Sequence, residues 1–224
     1  MSGAAWISSM FSNYALGDKP GVRAKLYGED WEAATFEQGR SSADQMAAIN
    51  KYVRGFKLER NELPETAAVW HQQSFARMGE LFATAGFYVV RKKLHDVLSR
   101  FDLGEGELVP FTIYEADLET PLDEEFWLLN FGAIKETFLP EQSENVKKGV
   151  VRKATGQQLW KINGWAENDD VALSREALSG PDLWFEEVVS RKIFLSDALV
   201  QALTEAKLAD AWQLTQCRVI GEPA

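Results

Sequence analysis

The run from Ile193 to Val219, IFLSDALVQALTEAKLADAWQLTQCRV, constrains the fold most, because it reads as strand, helix and strand in one uninterrupted module. Ile193, Phe194 and Leu195 give a short buried strand. Ser196 offers a hydroxyl to cap the following helix, and Asp197 places a negative charge in its first turn, where the helix dipole favours it. Leu199, Val200, Leu203 and Ala206 recur at helical spacing, so one face packs down. The helix ends at Leu208, and Trp212, Leu214 and Gln216 open an alternating run. A shift of 105, from Tyr88 to Ile193, brings the segment Tyr88–Ile113 into register without a gap. Val90 then falls on Leu195, Leu94 on Leu199, Leu98 on Leu203, Leu103 on Leu208 and Val109 on Leu214, with Arg91 where Ser196 stands. Strand–helix–strand units are a frequent way to bury an apolar face, so chance likeness stands beside a repeat. The expected fold is α+β: a mixed or antiparallel sheet with packed helices and two similar strand–helix–strand modules.

A chain of 224 residues, 46% hydrophobic and 26% charged, can build one large core or two lobes. Its single cysteine, Cys217, excludes an internal disulfide and fits a reducing compartment. The opening MSGAAWISSMFSNYALG has neither a basic start nor a sustained apolar run, so a secretory signal is not expected. No stretch reaches the ~18 apolar residues of a membrane span. The expected location is the cytoplasm. The net charge of −10 is uneven: 13 basic residues face 14 acidic before position 113, and 11 face 20 from there on. Phosphates need the opposite sign, so nucleic acid is not an expected partner. A charged partner of the C-terminal half would be basic, although solubility alone also explains an acidic surface.

Residues 1–20 read as a loose arm, and 21–39 as a short hairpin about Gly28. A helix is expected over 41–53, with Met46, Ile49 and Val53 on one face. A longer helix is expected over 65–85, striped by Val69, Phe75, Met78, Leu81, Phe82 and Ala85 and closed by Gly86. Residues 115–125 hold six acids and no base and read as an exposed loop, followed by the buried strand FWLLNF. Residues 150–165 look like two strands about Gly156, and 166–170 like a second acidic loop. A short strand, one helical turn from Ser174, a Gly180-Pro181 turn and Leu183-Trp184-Phe185 lead into the C-terminal module. No linker divides the chain; a single domain over 1–224 is expected, with 1–63 as a candidate N-terminal extension.

Catalytic constellations are scarce. His71 and His95 have no second ligand at metal spacing, and Cys217 has no base beside it in sequence. Gly104-Glu105-Gly106 lacks the helix a dinucleotide site needs. No enzyme activity, cofactor or metal is therefore expected.

The C-terminal third carries a further pattern: Gly180, Asp182, Leu183 and Trp184, then Phe194, Leu195, Ser196, Asp197, Leu199, Leu203 and Leu208. This segment resembles the end of a family of immunity proteins from bacterial polymorphic-toxin systems. The segment FYVVRKKLHDVLSRFDLGEGELVPF is similar to that family's other strand–helix unit, and FWLLNF to its central strand. The likeness spans about residues 64–217. It departs at Arg91, where a capping residue is usual, and at Ala209-Asp210, where a glycine is usual. The resemblance implies a protein encoded beside a cognate secreted toxin, which it binds and blocks by stoichiometric occlusion. With the charge distribution, it makes Asp123, Glu124, Glu125, Asp169, Asp170, Glu186 and Glu187 the expected contacts for a basic toxin domain. Trp165, beside Gly164 and an acidic loop, is the expected aromatic anchor. The alternatives are a small-ligand binder or enzyme whose site assembles from distant residues, and a scaffold that self-associates through apolar surface.

Overall fold

Strand pairing between distant segments, rather than helix packing, organises the protein. The computed structural model describes residues 3–17, 21–27, 43–153, 155–163 and 166–221. The chain runs through β1 (Ala5–Ser8), β2 (Val22–Lys25), α1 (Ala43–Tyr52), β3 (Thr66–Val69), α2 (Gln72–Phe75), β4 (Leu81–Thr84) and β5 (Phe87–Arg91). It continues through α3 (Lys92–Leu98), β6 (Glu107–Phe111), β7 (Ile113–Tyr114), β8 (Phe126–Asn130) and β9 (Ile134–Lys135). The remainder comprises β10 (Val146–Val151), β11 (Gln158–Ile162), β12 (Ala172–Ser174), β13 (Leu183–Glu186), β14 (Ile193–Ser196), α4 (Asp197–Glu205) and β15 (Leu214–Ile220). The fold is α+β.

A six-stranded mixed sheet has the order β12-β15-β1-β14-β13-β9, with parallel pairs only at its two ends. A four-stranded antiparallel sheet has the order β4-β5-β8-β6. A three-stranded sheet β2-β3-β7 and the hairpin β10-β11 complete the set. In both larger sheets a strand–helix–strand segment is split: β8 lies between β5 and β6, and β1 lies between β14 and β15, antiparallel to each neighbour.

The six-stranded sheet separates two apolar layers, as alternation along a strand requires. Leu183, Phe185, Ile193 and Leu195 point into the larger core with Leu199 and Leu203 of α4 and Leu94 and Leu98 of α3. Trp184, Phe194, Ile7 and Cys217 point into a second core, which Ile162 and Trp160 of β11 help to close. Ser196 caps α4, accepting a hydrogen bond from the Leu199 amide at 3.2 Å, while its own hydroxyl donates to Asp182 Oδ1 at 2.6 Å. Arg91 makes no side-chain cap for α3. Its guanidinium instead lies over Phe75, Phe82 and Phe126, at 4.9, 5.9 and 5.4 Å from the ring centres.

Three expectations change. The helix expected over 65–85 is β3, the single turn α2, and β4. Thr66–Val69 pairs antiparallel with β2 and parallel with β7, and these long-range bonds outweigh a helical spacing of apolar residues. Ala85 (φ 50°) and Gly86 (φ 90°) form the two-residue turn between β4 and β5, so Gly86 turns a hairpin instead of ending a helix. The loose arm contains β1, a central strand. Trp212 precedes the last strand, fully buried in a 3-10 turn, and Gln213 at φ 50° redirects the chain into β15. Of the hairpin expected over 21–39, residues 28–39 lie outside the described residues.

Candidate interaction surface

The histidines and the cysteine are occupied structurally. His71 is the N-cap of α2, and its Nδ1 lies 2.9 Å from Ser74 Oγ. His95 stacks on Trp127 with ring centres 3.8 Å apart. Cys217 lies in β15 facing the second core, and no hydrogen bond joins it to either histidine. Among the described residues no three His, Cys, Asp or Glu side chains are grouped to hold a metal ion. Among them, too, no helix is long and apolar enough to cross a membrane.

Burial raises the Cys217 thiol well above its ordinary 9.0, with Glu186 and Asp169 adding to the effect. A raised folded-state value means a contribution to stability that is complete below pH 9 and is lost as pH rises beyond it. Above pH 9, the part of the stability loss due to Cys217 should reach about 1.4 kcal/mol per pH unit. Denaturant melts of the native chain and Cys217→Ala from pH 8 to 11 should diverge from pH 9 upward, the variant losing less; parallel curves would contradict the assignment.

The expected acidic contacts separate into different environments. Asp123, Glu124 and Glu125 are exposed just before β8. Glu124 pairs with Arg91, the guanidinium seated on three phenylalanine rings. Asp169 is exposed at φ 69°, its amide donating to Gln216 O at 3.0 Å. Asp170 accepts from the Glu167 amide at 2.7 Å and from Asn145 Nδ2 at 2.9 Å. Those two bonds, the amide's first, hold its carboxyl below the usual range. Glu187 pairs with Arg152 at 3.0 Å, and its carboxyl is lowered by Gln157 and then by Arg152. Asp169, Asp170 and Glu187 thus flank the β10–β11 hairpin, whereas residues 123–125 belong to the four-stranded sheet. Trp165 and Gly164 lie outside the described residues.

Glu186 needs correction as a surface contact, because it is 1% exposed. Its Oε1 accepts from Trp184 Nε1 at 2.9 Å and Thr137 Oγ1 at 2.5 Å; its Oε2 accepts from the amides of Thr137 at 2.7 Å and Phe138 at 3.1 Å. Consecutive residues of a strand face opposite sides, so when Glu187 points out, Glu186 points in with Trp184. The ammonium of Lys135 lies over the Trp184 ring at 3.7 Å, and burial lowers its pKa against the pull of Glu186.

Charge averaged over the C-terminal half conceals one element. Of its 11 basic residues, Lys147, Lys148, Arg152, Lys153 and Lys161 lie on or beside the β10–β11 hairpin, and no acid occurs between positions 144 and 167. Lys147 stands directly opposite Lys161, and both are exposed. Val150 and Val151 are 69% and 54% exposed. The local run of basic residues was the signal in the sequence.

Comparison with protein families matches residues 18–217 to the model described as "Immunity protein family (Imm11)". Comparison with curated proteins finds no match. The family match includes residues 18–63, which the resemblance in the C-terminal two-thirds left aside.

Proposed function

This chain belongs to the Imm11 immunity protein family, and from that premise we propose that it neutralises a cognate secreted toxin by binding it one to one in the cytoplasm. The family match over 18–217 carries the reading. Occlusion without chemistry agrees with histidines and a cysteine that serve structural roles. The direct test is to purify the chain with the toxin domain encoded beside it. A complex of one copy each, with toxin activity abolished at equimolar chain, is the expected result. Free components and unimpaired toxin would refute it.

Within this reading, the exposed acids Asp123, Glu125 and Asp169 are the contacts for a basic surface of the toxin. Glu124 and Asp170 contribute charge while holding Arg91 and the 166–170 loop. Replacing Asp123, Glu125 and Asp169 by Lys should lower the association rate about tenfold at low salt and flatten its salt dependence. Melting should barely change, since exposed charges each contribute on the order of 1 kcal/mol or less. An association rate unchanged across the salt range would remove these acids from the interface.

The chain is also proposed to be one domain, because residues 1–63 supply β1 to the six-stranded sheet and β2 to the three-stranded sheet. Two copies of one module are supported by the split strand–helix–strand arrangement in both larger sheets. The equivalent cross-strand partners are Val90 with Trp127 and Leu195 with Trp6. On the last strand, Trp127 faces Pro110 and Trp6 faces Gln216, so the offset there is 106 instead of 105. That one-residue step matches buried Phe111 with buried Cys217.

A further inference from the structure

We propose that the outer edge of β10 is a docking edge for an extended acidic segment of the cognate toxin, which adds to the hairpin as a third strand. The inference rests on the toxin-binding reading above and supplies it with a second contact of opposite charge. β11 is fastened to the body: the Trp160 amide donates to Val188 O at 2.8 Å, and Trp160 bridges to Val189. Val146, Trp160 and Ile162 pack on the second core. Among the described residues no strand pairs with the other edge of β10. That edge is six residues long, about 20 Å of unpaired backbone.

Lysines on an edge strand also discourage unwanted pairing. Two features exceed that protective role. At the register shift between Lys148 and Val151, the adjacent valines Val150 and Val151 are both exposed. An edge built only for protection would not present two neighbouring β-branched apolar side chains. Second, Lys147 lies directly across from Lys161, where like charges repel, and among the described residues neither lysine is in an ion pair. Carboxylates on an added strand would relieve that repulsion, apolar residues between them would cover the valines, and main-chain bonds would pair with β10. A phosphate backbone would answer the lysines and leave the valines in water, which favours a protein strand over nucleic acid.

The test uses the full chain and the toxin domain encoded beside it. The variants are Lys147→Glu with Lys161→Glu, and Val150→Asp with Val151→Asp. Melting confirms that each folds. Each pair should weaken toxin binding at least about tenfold. In the native complex, amides of residues 146–151 should exchange more slowly than in the free chain, a measurement that needs no variant. Unchanged affinity in both folded variants, or protection confined to other residues, overturns the inference and leaves toxin binding standing. Failure of the native chain to bind toxin overturns both. Binding of a single-stranded oligonucleotide that the Lys variants lose, with toxin affinity intact, assigns the edge to nucleic acid and overturns the inference as well.

Discussion

Replacing Glu186 by alanine should destabilise the protein by about 3–5 kcal/mol, the cost of removing one partner from a buried charged network. Four donors lose their acceptor together: the Trp184 indole, the Thr137 hydroxyl, and the amides of Thr137 and Phe138. In the native fold none of them meets solvent, because Glu186 is 1% exposed and Thr137 4%. For a domain of this size the melting temperature should fall by on the order of 10 °C. Glu186→Gln keeps one acceptor oxygen for part of the network and should lose about half as much. Thermal and denaturant melts of both variants check the prediction. Unchanged melting with weakened toxin binding would return Glu186 to the surface.

Deleting residues 1–8 should cost more, on the order of the whole ~5–15 kcal/mol by which such domains are stable. The deletion removes β1, with Ala5 and Ser8 fully buried, Ile7 2% exposed, and pairings to β14 on one side and β15 on the other. Trp6 Nε1 also donates to Asp197 Oδ1 at 3.0 Å, and Ser8 Oγ donates to Trp212 O at 2.5 Å. Without β1 the six-stranded sheet is divided at its middle, and two apolar strands acquire open edges that favour aggregation. The truncated chain should be insoluble or give no cooperative melt. A soluble truncation with a native-like transition would show that β14 and β15 hold without it.

Legibility followed the range of the interactions involved. The cap at Ser196 is a contact between near neighbours, and the apolar face of Leu199 and Leu203, the run 126–130 and the hairpin about Gly156 each carry a pattern complete within a few residues, which locates them in the sequence although distant segments hold them in place. AWIS reads as part of an arm because Trp6 and Ile7 are adjacent among small residues and show no alternation; its strand form comes from β14 and β15. Over 65–85 the structure departs from the pattern because Val69, Phe75, Met78, Leu81 and Phe82 satisfy a helical period by coincidence of two strands and a turn. For the surface, the acidic balance of the C-terminal half was legible, and the basic hairpin inside it was lost by averaging.

The α+β class, the C-terminal strand–helix–strand unit and the family resemblance are legible in the amino-acid order alone, since they rest on local periodicity, capping chemistry and ordered apolar positions. The three-dimensional pairing of strands settles that β1 divides β14 from β15, that Glu186 is buried while Glu187 is half-buried, and that one edge of β10 has no partner among the described residues. Each of those outcomes depends on which distant backbone satisfies a strand's hydrogen bonds. A strand's own residues state that it needs a partner without naming it.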